Sequence, residues 1–237
     1  MNERDAWIAL AATEGVGAVT FERLLSVHGS AANALDAVAG LREGRADREL
    51  ASMVGMRLRL GLARHLRATA RDPRRTFREM VALGGWLTTP LDPDYPVGLH
   101  AIEEPPPVLY GLGDPKSLHA NWLIAVVGTR RVTPLGRDLT TRVATRLAEA
   151  GAVVVSGLAM GVDAAAHLAA LEAERPTVAV VGSGLDAPEP GVHHRLARRI
   201  AAGGAVVSEL APGVRLSLIH ISEPTRPRRQ SRMPSSA

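Results

Sequence analysis

Three short glycine-bearing stretches carry the residue types that handle phosphate. Gly128-Thr129-Arg130-Arg131, Gly157-Leu158-Ala159-Met160-Gly161-Val162-Asp163 and Gly182-Ser183-Gly184-Leu185-Asp186 each follow an apolar run. Small residues let a backbone approach an anion, and free N–H groups at helix starts supply donors. Arg130 adds a planar guanidinium suited to a bidentate phosphate contact. Any one such loop is accounted for by a tight turn from strand to helix. Three in succession, with Arg130 and Ser183 among them, point to an anion-binding edge whose expected ligand is phosphate.

Other chemistry is thinly represented. The Gly-x-Gly-x-x-Gly dinucleotide fingerprint is missing after the first apolar run. A Gly-x-x-x-x-Gly-Lys-Ser/Thr loop is excluded because Lys116 is the only lysine. NAD and ATP are therefore disfavoured, and no cofactor is expected. Zero cysteines rule out disulfides, thiolate metal sites, iron–sulfur clusters and a thiol nucleophile. Asp163 and His167, four apart on one helix face, admit a metal pair or a catalytic base, with a packing histidine beside a capping aspartate as the simpler reading. His193-His194 reads as an exposed helix start. Glu209 is either a general base or an acceptor for backbone N–H groups. Seven aromatics in 237 residues leave little for base stacking, so binding of a single strand must lean on backbone contacts.

The elements that would position these loops show a regular rhythm from residue 123. Leu123–Val127, Ala152–Ser156, Val178–Val181 and Ala205–Glu209 are apolar runs that read as four buried strands. Helices fit between them: one opened by Thr133-Pro134 and closed at Gly151, one from Asp163 to Glu174, and one from Val192 to Ala202. Strand, glycine loop and helix repeated three times imply a parallel sheet with right-handed crossovers, an α/β fold. Upstream, Trp86–Thr89 suggests a short strand. The proline-rich chain from Asp92 to Gly111 ends in an expected edge strand at Val108–Tyr110.

Residues 1 to about 70 read as short helices. Glu14-Gly15-Val16-Gly17 interrupts the first helical period and resembles a helix-hairpin-helix element, although a plain turn between packed helices is the better reading of a single Gly-x-Gly in an alanine-rich chain. Between Arg57 and Arg78 lie eight arginines against Asp72 alone. That segment is either a phosphate-facing helix or a solvated face between domains. No apolar run approaches the roughly 20 residues that cross a bilayer, and the first residues lack a signal-peptide core. A cytoplasmic location without membrane attachment is the expectation.

Taken in order, Gly128-Thr129-Arg130, Ser156 through His167, Gly182 through Asp186 and Ser208-Glu209 resemble the motifs of the DNA-processing protein A family (DprA, also called Smf). Asp94-Tyr95-Pro96 and Pro105 through Tyr110 are similar to that family's leading segment. The resemblance implies an extended Rossmann-like core over residues 76–214, preceded by a small helical domain of SAM or helix-hairpin-helix type over 1–75. It further implies a single-stranded-DNA binder and recombination mediator. Such a protein protects incoming DNA and loads the RecA recombinase during natural transformation, without catalysis and as a homodimer when full length. Gly128, Thr129 and Arg130 would then contact phosphate, with Ser156, Gly157, Gly182, Ser183 and Gly184 on the neighbouring rim. Met160 stands where the family has arginine, and Glu189-Pro190-Gly191-Val192-His193 where it has a Tyr-Pro-x-x-Asn stretch. The alternative is a Rossmann-like glycosidase acting on nucleoside monophosphates. Its expected Pro-Gly-Gly-x-Gly-Thr-x-x-Glu loop is absent.

From about residue 215 the chain looks foreign to such a core. Leu216–Arg226 resembles a translated sequencing adapter, and a Pro/Arg/Ser run without periodicity follows, so residues 215–237 are expected to be disordered. They carry five arginines against Glu223, and the whole net charge of +4 therefore lies there. Residues 1–214 form a neutral body. A core truncated at this point is expected to leave apolar strand and helix faces uncovered.

Overall fold

The computed structural model describes residues 1–41, 46–55, 61–186 and 192–214. Six helices come first: α1 (Glu3–Ala11), α2 (Ala18–His28), α3 (Ala31–Ala39), α4 (Ala46–Val54), α5 (Leu62–Arg71) and α6 (Arg75–Ala82). The starts of α1, α3 and α5 are set by side chains that satisfy orphan helix amides. Asn2 accepts the Asp5 N–H and Ser30 the Asn33 N–H. Two further amides of α3, at Ala31 and Ala32, donate to the Glu3 carboxylate at 2.7 and 3.1 Å. Asp47 likewise takes the amides of Gly61 and Ala63 at 2.7 and 2.9 Å, fixing the start of α5. Leu10, Phe21, Leu24, Leu35, Leu50, Leu62 and Leu66 fill a core of their own among these helices.

The second layer is a six-stranded sheet built from β1 (Trp86–Thr88), β2 (Leu109–Gly113), β3 (Leu123–Ala125), β4 (Val153–Ser156), β5 (Thr177–Val180) and β6 (Ala205–Ser208). Its order is β1-β2-β6-β5-β4-β3. Strands β3 to β6 are mutually parallel, while β2 pairs antiparallel with both β6 and β1. Helices α8 (Pro134–Glu149), α9 (Val162–Glu172) and α10 (Val192–Gly203) connect the parallel strands. Each crossover moves one place in the same direction, so right-handed connections put all three helices on one face. Thr133 caps α8 by accepting the Gly136 N–H at 3.1 Å, with Pro134 at the first position. Helix α9 ends in a Schellman motif, Arg175 N–H to Ala170 O at 2.9 Å and Glu174 N–H to Leu171 O at 3.1 Å, with Glu174 left-handed at φ 55°.

Successive side chains of the strands point to opposite faces, and in β4, β5 and β6 both faces are largely covered. Val154 packs towards α8 and α9, and Ala179 and Val206 towards α10. Val153, Val178 and Val207 face the other side, where Tyr95, Leu99 of the short helix α7 (Val97–His100) and Leu118 cover them. Beyond that cover, Leu123, Ala125, Val155 and Val180 border an apolar groove of about 310 Å³.

Two strands differ from the sequence-based expectation. Residues 109–113 are internal to the sheet, because β1 adds a further strand outside them. The 123–127 run yields only a three-residue strand, and it is an edge: Leu123 is 43% exposed and Ala125 is also exposed. With β4 as its only neighbour among the described residues, β3 is not a buried strand. The expectations for residues 215–237 and for Glu189-Pro190-Gly191 fall outside the described residues.

Helix α1 joins the two layers. Its Ile8 packs in the cluster that contains Met80, Leu158 and Leu185. Trp7 Nε1 donates to Pro107 O at 2.7 Å, and Asp5 pairs with Arg74 at 3.2 Å. Arg4 forms an ion pair with Asp92, which also accepts the amide and hydroxyl of Thr89. Burial alone would raise the Asp92 carboxyl, but Arg4 and Thr89 outweigh it and hold the group below the usual carboxylate range.

Candidate phosphate-binding rim

Because β3, β4 and β5 run parallel and adjacent, the loops that leave them share one rim, where an open α/β sheet places its ligands. The first two loops are locked together. Thr129 O accepts the Val162 N–H at 3.2 Å, and a Cβ on Gly161 would stand 2.3 Å from that same oxygen. Gly161 also has φ 89°, so no side chain fits there on either ground. A Cβ on Gly128 would lie 2.8 Å from Val162 Cγ2, so this loop must be glycine to reach the start of α9. Thr129 Oγ1 accepts the Arg131 N–H at 3.1 Å and tightens the turn. Arg130 is exposed at its tip and has no acidic partner among the described residues.

The other rim residues divide by availability. Gly157 is exposed, but its amide already donates to Asp163 Oδ2 at 3.2 Å. Gly182 is exposed and Ser183 half-buried beside it. Gly184 is buried, with its amide on Val214 O at 2.7 Å. Ser156 lies beneath the rim: it is 3% exposed, and its hydroxyl donates to Val126 O at 2.6 Å, tying β4 to the end of the β3 run. Of the expected site residues, Gly128, Thr129, Arg130 and Gly182 are thus exposed and Ser183 half-buried, with Thr129 Oγ1 already taken by the Arg131 N–H.

Asp163 and His167 occupy the same face of α9, but not as a metal or catalytic pair. His167 is fully buried. The Thr177 hydroxyl donates to Val154 O at 2.7 Å, so His167 Nδ1, 2.8 Å away, must be the donor to Thr177 Oγ1. Desolvation outweighs the nearby Asp163 and pushes the imidazole down to about 4. The ring is a neutral bracket between α9, β4 and β5. Asp163 caps the preceding loop at Gly157 rather than its own helix, whose N-cap is Gly161. Among the described residues no group of three metal-ligating side chains converges.

Leu158 was not anticipated from sequence. It holds φ 60°, unusual for a residue with a branched side chain, yet it is buried against Ile8 and Leu185. The apolar residue directly after Gly157 is the only sequence signal that marks it as an anchor.

This rim geometry coincides with two sequence matches. The family described as DNA recombination-mediator protein A matches residues 86–228, which include every loop of the rim. The chain belongs to the DprA/Smf family. Residues 1–54 match a DprA-like N-terminal HHH domain, in agreement with the helical first layer. Among relatives, Protein Smf of Synechocystis is 34% identical over 218 residues, covering 90% of this chain and 52% of its own length. A putative DNA processing protein DprA of Mycobacterium tuberculosis is 39% identical over 194 residues, covering 76% of this chain and 47% of its own. The solved DprA of Streptococcus pneumoniae is similar with a TM-score of 0.53 at 28% identity, over 84% of this chain and 70% of that one. The chain spans about half the length of these curated relatives. Among the described residues no helix is long and apolar enough to cross a membrane.

Proposed function

We propose that this DprA-family chain binds single-stranded DNA through the β3–β5 rim and acts as a recombination mediator that delivers DNA to RecA. In this reading residues 1–75 form a helical module and residues 76–214 the DNA-binding core. The protein works in the cytoplasm during natural transformation, performs no catalysis and pairs as a homodimer in its full-length form. The observation that carries the reading is Arg130, an exposed guanidinium without an acidic partner among the described residues. It sits on a loop whose backbone is pinned to the start of α9. Gly128 and Thr129 on one side, and Gly182 and Ser183 on the other, give a phosphate backbone room to approach. Ser156, Gly157 and Gly184 support that surface from below.

The test is a titration of oligo-dT at two salt concentrations with wild type and Arg130→Ala. Binding should weaken steeply with salt, and loss of one phosphate contact should lower the logarithmic slope by about 0.7. Binding indifferent to both salt and Arg130 would sink the proposal. Release of free base from a nucleoside monophosphate would instead favour the glycosidase reading.

A further inference from the structure

We infer that the outer face of α5 is a second phosphate-backbone contact, formed by Arg64, Arg67 and Arg71, which engages the DNA strand beyond the rim. The inference rests on the DNA-binding reading above and assigns a partner to a surface that reading leaves unused. The three arginines are spaced by three and then four residues, so they form one stripe on the helix. At 1.5 Å rise per residue the stripe runs for about 10 Å. Arg64 and Arg71 are exposed and Arg67 half-buried, while Leu62, Ala63 and Leu66 on the opposite side are buried in the helical core.

Among the described residues none of the three arginines forms an ion pair. Acidic groups around it are engaged elsewhere: Asp72 with Arg78, Glu79 with Arg75 at 2.8 Å, Asp5 with Arg74 at 3.2 Å, and Asp47 with the α5 amides. Like charges at these spacings repel, which destabilises a helix by a few tenths of a kcal/mol per pair. A polyanion relieves that repulsion. The flank of α5 is also held firmly, His65 Nδ1 lying 3.1 Å from Glu14 O and Thr13 Oγ1 donating to Thr69 Oγ1 at 2.9 Å. The stripe is therefore presented on a fixed helix. A membrane surface is the poorer fit, because both leucines of α5, Leu62 and Leu66, are turned into the core and no large apolar side chain of the helix accompanies the stripe into a headgroup layer. Nucleic acid is favoured because the helical layer shares its packing with the rim: Ile8 lies in one cluster with Leu158 and Leu185 of the rim loops.

The test compares wild type, the Arg64→Gln/Arg67→Gln/Arg71→Gln triple variant, the equivalent Lys triple and Arg130→Ala. Each is titrated with oligo-dT of about 6 and about 25 nucleotides, lengths near the lower end of the span of one small binding module and beyond its upper end. The Gln triple should lose about tenfold or more in affinity for the long oligonucleotide and about two units of salt slope. It should bind the short one within twofold of wild type, and the Lys triple should restore the long-oligonucleotide affinity. Arg130→Ala should weaken both lengths. A Gln triple that binds the long oligonucleotide like wild type overturns the inference, while the Arg130 effect would leave the rim reading standing. Loss in the Gln triple together with indifference to Arg130→Ala sinks the rim and keeps α5. Charge-dependent capture of phosphatidylglycerol vesicles without any length dependence on DNA assigns the stripe to membranes and also overturns it.

Discussion

The Gly157 amide donates to the buried carboxylate of Asp163 across 3.2 Å, and that same oxygen occupies the space a side chain at position 157 would need. Glycine and aspartate are therefore a single device that sets the path of the β4–α9 loop. Asp163→Ala removes the partner of the exposed Gly157 amide and should lower stability by about 0.5–1.5 kcal/mol. Asp163→Asn retains an acceptor oxygen and should cost much less, as chemical denaturation will show.

His167 makes the fold acid-sensitive. Its folded-state value, lowered to about 4 from an ordinary 6.5, means that the unfolded chain takes up a proton that the folded chain refuses. Stability should be fully present above about pH 6.5 and fall as pH drops towards 4, by up to about 1.4 kcal/mol per pH unit. His167→Gln should abolish that slope in melting curves recorded across this interval, whatever its effect at neutral pH. The Arg4–Asp92 pair contributes separately, since its depressed carboxyl loses its charge only below the ordinary value of 3.8.

At the end of α9, Glu174 occupies the left-handed position of the Schellman motif at φ 55° and is exposed. Glycine there removes the Cβ strain without losing packing. Glu174→Gly should raise the midpoint of thermal unfolding, corresponding to roughly 0.5–1 kcal/mol after the greater entropy of the unfolded glycine chain is counted.

Met160 is 62% exposed on the second rim loop, where the family resemblance leads one to expect arginine. Met160→Arg adds a cation beside Arg130 without disturbing any buried contact. The affinity for oligo-dT should rise severalfold at low salt, and the salt slope should steepen by about 0.7.

Much of this was legible in the sequence where local chemistry decides the outcome. Thr133-Pro134 opened α8 and Gly151 closed it because capping and φ preferences act over a few residues. The glycine loops fell on one rim because their strands are parallel. What failed to show were relationships made by neighbours distant in sequence. Leu123–Val127 is as apolar as a central strand, yet its exposure depends on which strands flank it. Leu109–Gly113 became internal because Trp86–Thr88 folded outside it. The hydroxyl of Ser156 donates to Val126 O, a contact across 30 positions. His167 and Thr177 meet only because α9 returns over β4 and β5.

The placement of β3 at the margin of the sheet bears on how the rim holds a ligand. Gly128, Thr129 and Arg130 hang from a strand of three residues with one neighbour among the described residues, so its amides should be the first of the parallel strands to exchange with deuterated solvent. The loop itself is held by Thr129 O on the Val162 N–H, so what Arg130 gives up to grip a phosphate is the motion of its exposed side chain, and that entropic cost comes out of its affinity. Anything that pairs with the outer side of β3 would steady the strand beneath that loop in advance, and strengthen binding without touching the ligand at all.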